Sequence, residues 1–247
     1  MAAITFFDAC ALFGPWPQHE DLTIEDVLKA MAANKIERAL ALCTTGITYD
    51  YRVGNAATLE VCAAHGDQLM PVATLDPRAY PACLDEAEKC AQSGFKMIRF
   101  FPSRQGWPIA FAPFRELLQK CDALKLPVAV EVTQMGQATE LADAVAFTQA
   151  PLLLAGVSSD NLGEAIAVLR TSPKFHLETT ALLAPGALEA VAQSMPEGAD
   201  RLIYASYSPL RYSSASLNVV RGSGISNESK AAIVGGNLNR LVGKDEG

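Results

Sequence analysis

Histidine is scarce in this sequence of 247 residues, which contains only His19, His65 and His176. A catalytic zinc usually takes three protein ligands, and imidazole is the commonest metal ligand in proteins. His19 is expected in a solvated loop and His65 at a helix end, so His176 alone falls on a predicted strand. A metal centre built from several imidazoles is therefore not expected.

Basic residues are also in the minority, with 20 Lys and Arg against 27 Asp and Glu and a net charge of −7. This balance gives no electrostatic reason to bind nucleic acid or an acidic membrane. No run of about 18 apolar residues could span a bilayer, and the N-terminus lacks the cationic and apolar pattern of an export signal. We expect a cytoplasmic protein whose partner is a small-molecule ligand; a homodimer is left open.

The six cysteines include no Cys-x-x-Cys pair. Scattered free thiols suit a reducing compartment, and five of the six are expected to pack as small apolar side chains. Cys10 is the exception, because it follows Asp8 along the first predicted strand. Ile4, Phe6, Asp8, Cys10 and Leu12 are expected to share one face of that strand.

Apolar strand-like segments alternate with helical segments along the whole chain. The strands are predicted at 6–14, 39–43, 69–75, 95–101, 126–132, 151–158, 175–180 and 201–209. The helices are predicted after the N-cap Thr23 and at 55–65, 80–93, 111–124, 137–149, 161–171 and 185–195, with a closing helix that ends at Leu241. This order predicts an α/β fold, a single (β/α)₈ TIM barrel over residues 1–247.

The fifth strand shows which way its side chains point. Val128, Val130 and Val132 alternate with the residues between them, so they are expected to face the helices and to leave Glu131 on the barrel axis. Polar residues at the carboxyl ends of barrel strands lie where such barrels carry their active sites.

Five segments together resemble the amidohydrolase-related (amidohydrolase 2) TIM-barrel family. Residues 8–12 resemble its Asp-x-His-x-His run, and 94–99 its Gly-x-Lys-Gly-Ile-Arg run, with methionine for the second glycine. Residues 126–131 and 205–209 resemble its Leu-Pro-Val-x-x-His and Gly-Ser-Asp-x-Pro patterns, and 235–241 its closing Gly-Gly-Asn-x-x-Arg-Leu helix.

The resemblance implies a divalent metal that activates water, but the ligand positions have changed. They are occupied here by Cys10, Leu12, Glu131, Gly156 and Tyr207. Only Cys10 and Glu131 have side chains that could bind a metal. We therefore expect no cofactor and no metal, while an unusual site formed by Cys10, Asp8 and Glu131 is left open.

An enzyme that has lost the metal is the first functional hypothesis. The resemblance implies a hydrolase. Some relatives that act on dicarboxylate lactones work without a metal, which implies that the fold permits such chemistry, although they keep an aspartate at the position of Tyr207. The substrate would be a small carboxylate or a lactone. The catalytic candidates are Glu131, Tyr207, Asp8 and Cys10, and the substrate-binding candidates are Arg99, Glu178, His176, Ser206 and Arg211.

Roles for these candidates follow from their chemistry. Glu131 or Glu178 would be the general base, Tyr207 an acid or oxyanion donor, and Arg99 or Arg211 the anchor for a carboxylate.

Two alternatives remain at this point. Cys10 could act as a nucleophile with His176 as its base. The chain could also be a non-catalytic barrel that binds a small molecule or a partner. An enzyme predicts Cys10, Glu131 and Tyr207 around one polar cavity, whereas a centre filled by Leu12 and other apolar side chains favours the non-catalytic barrel.

Overall fold

The computed structural model describes residues 5–17 and 20–243, so Ile4 and His19 lie outside the described residues. Eight strands are present: β1 (Phe7–Phe13), β2 (Arg38–Cys43), β3 (Leu69–Ala73), β4 (Met97–Phe100), β5 (Val128–Glu131), β6 (Leu152–Ala155), β7 (Phe175–Glu178) and β8 (Leu202–Ile203). Consecutive strands pair in parallel from β1 to β8.

The sheet closes where the chain beyond β8 meets β1. The amide of Ala9 donates to the carbonyl of Tyr204 at 3.0 Å, and the amide of Leu12 donates to that of Ser208 at 2.8 Å. These bonds complete a nearly closed barrel, and the predicted (β/α)₈ fold is confirmed.

The helices alternate with the strands as predicted. They are α1 (Ile24–Asn34), α2 (Thr45–Thr48), α3 (Tyr51–Ala64), α4 (Ala82–Gln92), α5 (Pro102–Gln105), α6 (Ala112–Ala123), α7 (Gln137–Ala144), α8 (Leu162–Thr171), α9 (Ala187–Ser194), α10 (Ser213–Gly222), α11 (Asn227–Ala231) and α12 (Asn237–Val242). A π-helical segment, Ala232–Gly236, joins the last two. Thr23 caps α1 as expected, since its side chain accepts from the amide of Asp26. The short helices α2 and α5, and the longer α10, were not predicted.

Two apolar layers separate the inside of the barrel from its outside. Val128, Val130 and Val132 pack in the layer beneath the helices, while Ala129 packs inside the barrel, so the expected alternation of β5 is confirmed. β1 is less regular, because its pairing with β2 shifts between Asp8 and Ala11. The expectation for Phe6 is therefore wrong: it packs in the outer layer.

Across residues 5–17 and 20–243, the length and hydropathy of the helices fall short of what crossing a bilayer requires.

Candidate active site

Two strand ends bring a phenol and a carboxylate together. The hydroxyl of Tyr207, beyond β8, donates to Oε1 of Glu131, the last residue of β5. Oε2 of Glu131 lies 3.3 Å from Nε of Arg104. Burial raises the pKa of Tyr207 well above its ordinary value, and the nearby charge of Glu131 raises it further. The phenol therefore stays protonated and is held as a donor to the carboxylate.

The backbone of Tyr207 has an uncommon conformation. Its φ is +61°, in the left-handed region that bulky side chains avoid. Such a residue costs on the order of 1–3 kcal/mol and is retained only when its surroundings impose it. Here the amide of Tyr207 donates to the carbonyl of Cys10 at 2.9 Å. This conformation directs the phenol toward Glu131.

A buried ion pair lies beside this phenol. Nη2 of Arg99, on β4, is 2.6 Å from Oε2 of Glu178, at the end of β7, and the two side chains are only 1% and 0% exposed. The hydroxyl of Thr180 donates to the other oxygen of Glu178 at 2.7 Å. Nε and Nη1 of Arg99 have no hydrogen-bond partner among the described residues. The guanidinium centre lies 5.6 Å from the ring centroid of Tyr207.

Asp8 lies at the seam between β1 and the chain beyond β8. Its Oδ1 accepts from the amides of Cys10, at 3.0 Å, and Ser206, at 2.8 Å. Its Oδ2 accepts from the hydroxyl of Ser206. Burial raises the pKa of Asp8 to about 7, although these hydrogen bonds work in the opposite direction. Asp8 and Ser206 thus join β1 to the segment that carries Tyr207.

Cys10 is fully buried inside the barrel. Burial raises its pKa well above the ordinary value, even though the charge of Arg99 works to lower it. A nucleophilic cysteine needs a lowered pKa and some exposure, because the thiolate is the reactive form. This environment therefore favours an inert thiol.

His176 lies away from this cluster, whereas Arg211 adjoins it, because its amide donates to the carbonyl of Tyr207 at 3.1 Å. His176 is two residues nearer the amino end of β7 than Glu178, and its Nδ1 lies 3.1 Å from the carbonyl of Lys174. Burial lowers the pKa of His176 to about 4. Arg211 is exposed, and its Nη1 donates to the carbonyl of Thr180 at 3.3 Å.

Apolar side chains pack around Tyr207 inside the barrel. Leu12, Trp16, Ile47 and Phe101 are each no more than 9% exposed and pack in the same interior cluster as Cys10 and Tyr207. The contact between Glu131 and Tyr207 is the part of the enzymatic expectation that the structure shows. The packing of Leu12 and other apolar side chains around Cys10 and Tyr207 is the feature expected of a non-catalytic barrel.

Two surface cavities lie elsewhere. A groove of about 660 Å³ runs between α1 and the loop beyond β8, and it includes Arg211 and Tyr212. A second cavity of about 620 Å³ is lined by Arg38, Asp200 and Asn239. Neither is lined by the Tyr207–Glu131 pair.

Sequence reasoning missed Trp16 and Arg104. The centre of the Arg104 guanidinium lies 4.8 Å from the centroid of the Trp16 ring, so Arg104 contacts both Trp16 and Glu131. A signal was available, because each residue follows a barrel strand by a few positions, where loops line the mouth. Their pairing could not be read, since it joins the loops after β1 and β4 across space.

The five family ligand positions do not fit a divalent metal. Leu12 and Gly156 offer no donor atom, and the buried Cys10 favours the thiol form. The phenol of Tyr207 donates to Glu131 and so occupies one lone pair of a carboxylate oxygen. Among the described residues, no group of three or more His, Cys, Asp or Glu side chains is arranged to hold a metal ion.

The fold and these strand-end side chains define a (β/α)₈ barrel with ionisable groups clustered at the carboxyl ends of its strands. The family model described as Amidohydrolase matches residues 17–243. The chain therefore belongs to the amidohydrolase (amidohydrolase 2) family, a family of hydrolase-like and lyase-like proteins. No curated protein matches it in sequence.

Solved structures with the same fold include several decarboxylases. A 2,6-dihydroxybenzoate decarboxylase from Rhizobium is 14% identical, with a TM-score of 0.79 over 96% of this chain and 98% of that one. A 5-carboxyvanillate decarboxylase from Sphingomonas paucimobilis is 13% identical, with a TM-score of 0.76 over 97% and 99%. A dihydroxybenzoic acid decarboxylase from Polaromonas sp. JS666, with bound manganese and the inhibitor 2-nitroresorcinol, is 14% identical, with a TM-score of 0.77 over 96% of each chain. At these identities the likeness shows the fold.

Proposed function

We propose that the protein is a metal-independent hydrolase or lyase that acts on a small carboxylate or lactone. The observation that carries this proposal is the hydrogen bond from Tyr207 to Glu131, which joins two positions where the family resemblance places metal ligands. A protonated phenol and a carboxylate in contact form an acid–base pair. In a hydrolysis, Glu131 would accept a proton from water as the water oxygen bonds to the acyl carbon, and Tyr207 would pass its proton to the leaving oxygen as the acyl–oxygen bond breaks. The proton on Glu131 would then return to the phenolate of Tyr207 through their contact.

Arg99 supports an oxygen-rich substrate beside this pair. Its guanidinium is 1% exposed, yet Nε and Nη1 have no partner among the described residues. A buried donor without a partner costs free energy, which a carboxylate or carbonyl oxygen of a ligand would recover. The solved neighbours named for decarboxylation act on aromatic carboxylates, which is consistent with a carboxylate substrate.

The proposal also includes a small-molecule partner and a cytoplasmic location. A net charge of −7 favours a small molecule over nucleic acid or an acidic membrane. All six cysteines are free and buried, which is consistent with a reducing cytoplasm.

The test uses Tyr207→Phe and Glu131→Gln with a panel of lactones and hydroxybenzoates, in the presence of a chelator. Each variant is expected to lose about 10²–10⁴-fold in kcat, the usual contribution of a positioned acid or base. Tyr49→Phe, a substitution at an 85% exposed tyrosine, is the matched control. Activity that disappears with chelator and returns with manganese would contradict metal independence.

A non-catalytic barrel is the second candidate, and a specific observation favours it. Glu131 and Tyr207 are only 4% and 5% exposed, and Leu12 and Trp16 pack in the same interior cluster as Tyr207. Ligand binding detected by calorimetry, with no product by chromatography for any compound of the panel, would favour this candidate.

A further inference from the structure

Arg104 is the solvent-facing member of the cluster around Glu131. Its side chain is 42% exposed, whereas that of Glu131 is 5% exposed. The guanidinium lies over the ring of Trp16, with 4.8 Å from its centre to the ring centroid. An anion arriving from solvent would therefore meet this guanidinium before it met the buried Arg99.

The contact between Arg104 and Glu131 is weaker than the ion pair beneath it. Nε of Arg104 lies 3.3 Å from Oε2 of Glu131, against 2.6 Å between Arg99 and Glu178. Charge-assisted hydrogen bonds are typically about 2.7–2.9 Å long, and half-exposed pairs are screened by water. A carboxylate ligand on Arg104 would keep the guanidinium paired, while Glu131 would keep the hydrogen bond from Tyr207.

The local backbone lets this side chain move alone. Arg104 is in α5 (Pro102–Gln105), which follows β4 directly. The neighbouring Gln105 is buried, and its side-chain oxygen accepts from Nε1 of Trp107 at 3.0 Å, which anchors the helix to the core. Arg104 can therefore swing outward without moving α5 when it gives up its contacts with Glu131 and Tyr207.

The geometry points to Arg104 as the residue that admits a carboxylate ligand: the carboxylate takes the guanidinium from Glu131 and thereby frees Glu131 to act as the base. This inference rests on the proposed function and deepens it, because Glu131 becomes available as the base only when the carboxylate ligand is bound. A neutral ligand, such as an uncharged lactone, would not trigger the exchange, since it carries no charge to replace that of Glu131, so the exchange selects the carboxylates among the proposed substrates.

Trp16 provides the readout. When Arg104 leaves its ring, the indole becomes more accessible to acrylamide, while Trp107, only 5% exposed, supplies a constant background. The experiment measures acrylamide quenching of tryptophan fluorescence during titration with sodium acetate, and with acetamide at matched ionic strength. The native chain is compared with Arg104→Gln, Arg104→Lys and the control Arg170→Gln, an exposed position in the last turn of α8.

Acetate, but not acetamide, is expected to increase quenching in the native chain and in Arg170→Gln. Loss of a charge-assisted contact should weaken the acetate response about tenfold or more in Arg104→Gln. Arg104→Lys should be intermediate, because it keeps the charge without the planar fork. Circular dichroism verifies that each variant is folded.

Equal responses to acetate and acetamide in the native chain, or an unchanged response in Arg104→Gln, would overturn the inference. That failure differs from failure of the proposed function. Turnover lost in Tyr207→Phe, with an unaffected KM in Arg104→Gln, would keep the function and reject the role of Arg104. A Trp16 response without turnover would reject the function.

Discussion

Single residues inside the barrel carry charges that water does not reach. Arg99 and Glu178 pair at 2.6 Å with both side chains almost fully buried. A buried pair adds little net stability over apolar side chains of similar size, but an unpaired buried charge is expensive. The energetic consequence appears when one partner is removed.

Glu178→Gln should destabilise the protein by about 3–5 kcal/mol, because it leaves the charge of Arg99 buried and unpaired. Urea unfolding measures the loss. The double variant Arg99→Met with Glu178→Leu should recover most of it. If the double variant loses as much stability as the two single variants together, the two side chains are energetically independent, which would contradict the ion pair in the structure.

Asp8 makes stability depend on pH. Its pKa in the folded chain is about 7, above the ordinary value of 3.8, so the folded state binds a proton that the unfolded state has released. The stabilisation is complete below about pH 4 and is lost as the pH rises through 7, with a slope of up to about 1.4 kcal/mol per pH unit. Urea unfolding between pH 5 and 8 should show this fall. In Asp8→Asn the loss of stability with rising pH should be smaller, and an identical slope would contradict the attribution of the pH dependence to Asp8.

At the scale of elements, two helices end on lysines in the left-handed region. Lys35 follows α1 with φ +59°, and Lys125 follows α6 with φ +56°. Glycine is the usual residue there, and Gly94 fills the same role after α4 with φ +81°.

Lys35→Gly should stabilise the protein by about 0.5–1 kcal/mol, because left-handed strain of roughly 1–2 kcal/mol is relieved and partly offset by the flexibility of glycine when unfolded. Thermal unfolding is the measurement. Lys29→Gly, inside α1, is the matched control and should cost about 1 kcal/mol. A loss in both variants would show that Lys35 is not strained.

For the whole molecule, closure depends on the C-terminal segment. The amide of Tyr204 donates to the carbonyl of Ile233 at 3.0 Å, within the π-helical segment. A Cβ added at Gly235 would lie 2.0 Å from the carbonyl oxygen of Thr5, just before β1. The chain end therefore packs directly against the first strand, and only glycine permits that approach.

Gly235→Ala should cost about 1–3 kcal/mol, as expected for overpacking against backbone. Gly236→Ala is the neighbouring control, since the nearest atom to its added Cβ lies 3.7 Å away, and it should be neutral or slightly stabilising. Chemical denaturation measures the free energy of unfolding of both variants. Equal stability of the two would show that the segment moves aside without cost.

The sequence by itself determined the barrel and one face of its centre. Apolar strands alternating with helices admit few other architectures, and the period of two along β5 placed Glu131 on the axis. Family resemblance then set Tyr207 opposite it, and the two side chains do meet. These inferences succeeded because they depend on local periodicity and strand order.

Tertiary structure alone decided the rest. The register shift in β1 moved Phe6 to the outer layer, the left-handed Tyr207 set the direction of its phenol, and Arg104 came to lie over Trp16. None of these follows from a local pattern, because each depends on segments distant in sequence that pack together. The separation of His176 from the cluster has the same origin, since depth along β7, rather than its face, determines what that side chain can reach.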